Sequence, residues 1–64
     1  MKIEELIIEL EMAIERDDKK ATSYYLSQAK NELSRLCKLK DKESKKAFNE
    51  NIIKLGNLER YIFS

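Results

Sequence analysis

The chain has 64 residues, with 13 basic and 12 acidic side chains, one cysteine and no histidine. This length holds one domain at most, and we expect residues 1–64 to form a single domain. One cysteine cannot form an internal disulfide, and without histidine it leaves too few ligands for a tetrahedral zinc site, so we predict no metal and no cofactor. The near balance of charge argues against a uniformly basic nucleic-acid coat.

Lys, Glu, Leu and Ile are the commonest residues, proline is absent and Gly56 is the only glycine. Turn-rich sheet folds need glycine and proline, so this composition predicts an all-α protein. Charged residues interrupt every apolar run well before the length of a membrane span, and residues 1–5 lack the layout of a signal peptide. We therefore expect a cytoplasmic protein with no membrane partner.

Helix 1 is predicted over about residues 2–16. Its apolar residues recur at the spacing of an amphipathic helix and form the stripe Ile3, Leu6, Ile7, Leu10, Ala13 and Ile14. Ile8 and Met12 lie one turn apart on the opposite side, among Glu4, Glu5, Glu11 and Glu15. This pair indicates half of an interface, because Met adapts to varied binding surfaces. Simple exposure, or burial in a bundle with helix 1 at its centre, are the alternatives.

Residues 13–25, Ala-Ile-Glu-Arg-Asp-Asp-Lys-Lys-Ala-Thr-Ser-Tyr-Tyr, join helix 1 to helix 2. This stretch resembles the junction between two tetratricopeptide repeats, where one helix ends in Ala and acidic residues and the next begins with small residues and an aromatic pair. Asp18 stands where that family has proline, and the chain is too short for the three or so repeats that such arrays need. The resemblance implies an antiparallel hairpin of helices 1 and 2, rather than membership. Asp17, Asp18 and Thr22 are the candidate N-caps of helix 2.

Helix 2 is predicted over about residues 19–39. We expect its buried stripe to be Thr22, Tyr25, Leu26, Ala29, Leu33, Leu36 and Cys37. Tyr24 lies off this stripe on a strip with Gln28, Asn31 and Arg35, and Tyr and Arg are frequent interface hot spots. Stacking of Tyr24 on bases of single-stranded nucleic acid and a solvated Tyr24 are the alternatives.

Helix 3 is predicted over about residues 42–62, with Asp41 as its N-cap, although helices 2 and 3 could instead form one continuous rod. Gly56 either permits close packing or ends helix 3 early. Ile53 and the tail residues Tyr61 and Phe63 are candidate partner contacts, and the tail could also dock on the core. The inward-facing residues are expected to be Ala47, Phe48, Ile52, Leu55, Leu58 and Ile62.

Charge is unevenly distributed along the chain. Residues 1–18 hold seven acidic and two basic residues, a net charge of −5, whereas residues 19–46 hold nine basic and three acidic residues, a net charge of +6. The basic segment could neutralise nucleic-acid phosphates, or it could be a solvated turn beside a helix C-terminus. Its cations are Arg35, Lys38, Lys40, Lys42, Lys45 and Lys46.

The sequence carries no nucleophile with a base partner and no phosphate-binding loop, so we expect no enzyme. The predicted fold is a small three-helix bundle, or a helical hairpin plus a third helix, assembled as a homodimer. The leading functional prediction is a regulatory adaptor or inhibitor, of the size of bacterial and phage-encoded modulators, that docks a helix face on a larger protein. The alternative is a nucleic-acid-binding regulator that uses residues 35–46 with Tyr24. The candidate partner-binding residues are Ile8, Met12, Tyr24, Arg35, Ile53, Tyr61 and Phe63.

Overall fold

A computed structural model describes residues 2–64, and these residues form three α-helices and no strand. The helices are α1 (Ile3–Glu15), α2 (Lys19–Lys38) and α3 (Lys42–Ile62), and each packs against the other two. The all-α three-helix fold is therefore confirmed, with helix ends within one residue of the predicted ones. The two long helices are separate, so the continuous rod is excluded.

The joint between α1 and α2 closes without glycine. Asp17 takes a left-handed backbone conformation with a φ of 55°, which aspartate tolerates better than most residues. The N–H of Asp17 then donates to the carbonyl of Ile14 and the N–H of Asp18 to that of Ala13, both at 3.0 Å. This pair of bonds is the Schellman pattern that ends helices. Asp18 also caps α2, because its Oδ1 accepts from the N–H of Ala21 at 3.1 Å.

The joint between α2 and α3 uses extended backbone rather than glycine or proline. Leu39 leaves α2 with φ −80° and ψ 147°, and Asp41 enters α3 with φ −75° and ψ 155°. The Oδ2 of Asp41 accepts from the N–H of Ser44 at 3.0 Å, as the predicted N-cap should. A cap that satisfies one free N–H of α3 thus fixes the start of the helix.

The core lies where the three helices face one another. α1 contributes most to it, because its predicted stripe is almost entirely buried. Ile14, Tyr25, Ala47, Phe48, Leu58 and Ile62 are half-buried and pack around it. The buried cluster is Ile3, Leu6, Ile7, Leu10, Leu26, Ala29, Leu33, Leu36 and Leu55.

Three positions depart from the predicted stripes. Cys37 and Ile52 were expected inside, but Cys37 is exposed and Ile52 is 41% exposed. Asn51 instead is 2% exposed, and its Nδ2 donates to the carbonyl of Ala47 at 2.8 Å within the same helix. α3 therefore turns the side that contains Asn51 and Leu55 towards the core, which moves Ile52 towards solvent. The local hydrogen bond lets a polar amide occupy an apolar position.

Gly56 lies inside α3, so the alternative in which it ends the helix early is excluded. A Cβ built at Gly56 would meet no described atom within 4 Å apart from the adjoining residues and the local backbone of α3. Close packing within the chain therefore does not explain this glycine either, although glycine in a helix interior costs about 1 kcal/mol relative to alanine.

Candidate functional site

The first candidate surface, the α1 outer face, consists of Ile8 and Met12 with Glu4, Glu5, Glu11 and Glu15 around them. Ile8 is 54% and Met12 43% exposed, while the opposite stripe of α1 is buried. Burial of α1 at the centre of the bundle is therefore excluded, and this apolar pair is open to solvent. A helix that has already completed its core contacts presents an adaptable apolar pair between carboxylates.

The charged side chains of α1 are all negative. The helix carries five glutamates and no basic residue between Ile3 and Glu15. The ion pairs found among residues 2–64 lie on α2 and α3 and take none of these glutamates. Glu4 and Glu5 lie in the first turn, where they favour the helix dipole, but Glu15 lies at the end where a negative charge opposes it. Helix stability therefore does not account for the acidic end of this face.

The second candidate surface is a shallow cleft of about 360 Å³ between α1 and α2. Tyr24 and Arg35 line it together with Gln28 and Asn31, so the predicted polar strip exists as a surface. Tyr24 is exposed and meets the ring of Tyr25 edge-on, with the ring centroids 5.1 Å apart.

Arg35 is already engaged within the chain. Its Nε and one terminal nitrogen donate to both carboxylate oxygens of Glu32, at 2.9 and 2.6 Å. These hydrogen bonds hold the pKa of Glu32 below its ordinary value and raise that of Arg35. A guanidinium held in this fork has fewer free donors for an incoming ligand.

All six cations of the basic segment, from Arg35 to Lys46, are exposed, although Leu36 among them is buried in the core. Besides the Arg35–Glu32 pair, the Nζ of Lys46 lies 3.9 Å from a carboxylate oxygen of Glu50. Asp41 puts a carboxylate, occupied in capping α3, among the lysines. The remaining lysines are exposed in and beside the α2–α3 connection: Lys38 ends α2, Lys40 lies in the connection, and Lys42 and Lys45 lie in the first turn of α3.

The C-terminal tail is divided between core and solvent. Ile62 is half-buried against the core, whereas Tyr61 and Phe63 remain exposed. These three residues line one side of a cleft of about 430 Å³ at the end of the bundle, opposite Ile14 and Leu26. The core thus holds the tail through one side chain and leaves its two aromatic rings accessible.

A further surface was not predicted from the sequence. The α2–α3 groove, of about 380 Å³, has Leu33, Cys37, Phe48, Ile52, Leu55 and Gly56 along its length. No residue of α1, whose whole length is described, lines it. Lys30 and Glu59 form an ion pair at one edge, and Lys38 lies at the other end. The stripes predicted from the sequence placed Cys37 and Ile52 inside and left two alternatives for Gly56, so they gave no direct signal of this groove.

The seven predicted partner-binding residues do not gather in one place. Ile8 and Met12 share the α1 outer face, Tyr24 and Arg35 share the α1–α2 cleft, and the two tail aromatics share the end cleft. Ile53 is exposed on α3. The geometry therefore offers separate docking surfaces rather than a single site.

Two chemical features of residues 2–64 bear on these surfaces. No group of three or more His, Cys, Asp or Glu side chains among them comes close enough together to hold a metal ion. In the same part of the chain, each helix is too short or too polar to cross a membrane.

No family model, no curated protein and no solved structure matches this chain, so its function is inferred from these surfaces alone.

Proposed function

We propose that this chain is a cytoplasmic, non-enzymatic regulatory protein that acts as an adaptor or inhibitor by docking its α1 outer face on another protein. The observation that carries the proposal is the exposure of Ile8 and Met12, one turn apart, on a helix whose core stripe is complete without them. Helix-in-groove recognition uses apolar anchors at this spacing.

The glutamates around Ile8 and Met12 indicate the chemistry of the partner surface. The glutamates of α1 take no part in the ion pairs of residues 2–64, and a partner that brings lysine or arginine would pair with them. Like charges would oppose the packing of this face on its own copy, so the proposed partner surface is an apolar groove with a basic rim.

Site-specific photo-crosslinking in the native host tests this proposal. A photoreactive phenylalanine analogue at position 8 should give a crosslinked protein of defined mass, while the same analogue at the exposed position 20 should not. Met12→Gln in the position-8 probe should reduce the crosslink, because it removes half of the apolar pair. Equal crosslinking from both positions, or none from position 8, would show that the face is merely exposed.

A second candidate function is nucleic-acid binding through the basic segment and Tyr24. The exposure of Lys38, Lys40, Lys42 and Lys45 favours it, and an exposed tyrosine can stack on an unpaired base. The engagement of Arg35 with Glu32 and the capping role of Asp41 weaken it. We expect weak or no binding to DNA and RNA at physiological salt. Tight binding that falls steeply with salt and is lost in Lys38→Glu/Lys42→Glu would favour this function over the first.

A further inference from the structure

The α2–α3 groove has features that the fold of one chain does not use. Its floor contains the core leucines Leu33 and Leu55, and Phe48 and Ile52 leave part of their side chains open above it. Apart from the adjoining residues and the local backbone of α3, no described atom lies within 4 Å of the position where Gly56 lacks a Cβ. A glycine at such a position lets a second helix approach closely, but no other helix of the same chain packs against Gly56 at this point.

The charge around the groove is positive at the end near the α2–α3 turn. Lys38 lies in the groove, and Lys45 lies beside Cys37 and Phe48 in the adjoining hollow. Neither lysine belongs to the ion pairs found among residues 2–64. At the other end, the carboxylate of Glu59 is already paired with Lys30. The groove therefore suits a helix that presents apolar residues between carboxylates.

The α1 outer face of this protein is such a helix. It offers Ile8 and Met12 to an apolar groove, and its glutamates are complementary to Lys38 and Lys45. We infer that the α2–α3 groove binds the α1 outer face of a second copy of this chain. The inference rests on the proposed function in one respect, since it assigns a partner to the same α1 face.

The position of the two surfaces determines the kind of assembly. α1 packs on α2 and α3, and the groove lies on the side of these helices away from α1. Two copies therefore cannot satisfy both surfaces of each other in one closed pair. The contact is heterologous, so its repetition adds subunits head to tail, into an open chain or into a ring of three or more, and the mass grows with concentration.

Two variants that each destroy one surface test this assembly. Ile8→Gln/Met12→Gln removes the α1 face and leaves the groove, and Ile52→Gln/Gly56→Gln fills the groove and leaves the α1 face. All four positions are outside the buried core, so both variants should keep the helical circular dichroism of the parent. Ile53→Gln, at a more exposed neighbour of Ile52 outside the groove, is the matched control.

Sedimentation velocity from low micromolar to near-millimolar concentration gives the readout. The parent and Ile53→Gln should rise in mass with concentration, and each double variant alone should stay monomeric. An equimolar mixture of the two double variants should reach twice the monomer mass and stop there, because each copy then has one working surface. Added salt should weaken this complex, since charge contributes to it.

Other outcomes would overturn the inference. A parent that stays monomeric over the whole range excludes a second copy as the occupant, and an α1-face variant that still dimerises alone shows that the groove pairs with itself. Crosslinking of position 8 to a different host protein, with a monomeric parent, would leave the proposed function standing and remove only this inference. Self-association without any crosslink to another host protein would leave this inference standing and remove the proposed function.

Discussion

Asp18, which lies between α1 and α2, stabilises the end of one helix and the start of the other. Its N–H completes the hydrogen bonds that end α1, and its carboxylate caps the first turn of α2. Asp18→Ala keeps the N–H and removes the cap, so we expect a loss of about 1 kcal/mol in the free energy of unfolding. Urea unfolding followed by circular dichroism measures it. Asp18→Asn, which keeps an acceptor oxygen, is the control, and an equal loss in both variants would mean that the cap contributes nothing.

Asp41 makes stability depend on pH. The Ser44 hydroxyl and then the Ser44 N–H donate to its carboxylate and hold its pKa below the ordinary value. A pKa lowered in the folded state stabilises the fold above the ordinary pKa of about 3.9, and this contribution is lost as the pH falls through that value and below.

Asp41→Asn keeps an acceptor for the cap but cannot titrate. We therefore expect the parent to lose more of its stability than Asp41→Asn between neutral pH and about pH 3, because only the parent carboxylate has to be protonated there. Urea midpoints of both proteins at the two pH values give the comparison. Parallel losses would indicate that the Asp41–Ser44 bonds do not persist in solution.

Asn51 is a polar residue in the core whose one recorded hydrogen bond is local. The carbonyl of Ala47 is a helical acceptor in any case, so replacement of the amide leaves no buried donor orphaned. We expect Asn51→Leu to raise the free energy of unfolding by about 1 kcal/mol, since an apolar side chain of similar size avoids the cost of burying an amide. Asn51→Ala, which leaves a cavity, should instead lower it. A destabilised Asn51→Leu would show that the amide has a partner beyond its own helix.

Local chemistry is what the sequence predicts well here. Asp41 was predicted as a cap and Asp18 was one of three candidates, because a carboxylate and the N–H three residues later need no tertiary structure to meet. Burial at Cys37, Asn51 and Ile52 depends on which side of a helix its neighbours occupy, and angular placement along one helix does not contain that information. The polarity of Asn51 suggests exposure and the apolarity of Ile52 suggests burial, whereas the structure buries Asn51 and exposes Ile52.

At the scale of the element, the same distinction separates the two docking surfaces. The α1 outer face was predictable because α1 has a complete apolar stripe, so Ile8 and Met12 are left over within one helix. The α2–α3 groove arises from two helices lying side by side, and only their packing reveals it.

Gly56 gives a prediction about α3 as an element. Because no described atom beyond the adjoining residues and the local backbone of α3 lies within 4 Å of the missing Cβ, Gly56→Ala gains helix propensity without a clash, and we expect a stabilisation of roughly 0.5–1 kcal/mol. Thermal unfolding at low micromolar concentration measures this effect on the monomer. A lower unfolding temperature would mean that a neighbour occupies the space beside Gly56 in solution.

At the scale of the whole molecule, both connections between helices are only three residues long, residues 16–18 and 39–41. Each helix therefore packs on its neighbour in sequence after a short loop has closed, which costs little chain entropy. Helical proteins with such local contacts fold in microseconds to milliseconds. We expect one exponential phase in that range from temperature-jump relaxation, and a phase lasting seconds would contradict the simple bundle.

Rapid folding has a consequence for when a partner can meet Ile8 and Met12. After any local opening, α1 returns to the bundle faster than dilute proteins usually encounter one another, so collisions mostly find the helix already formed and docked. A partner therefore selects a rigid, preassembled helix and loses little further chain entropy on binding it. Association should accordingly follow a simple bimolecular time course, without a slower folding step after first contact.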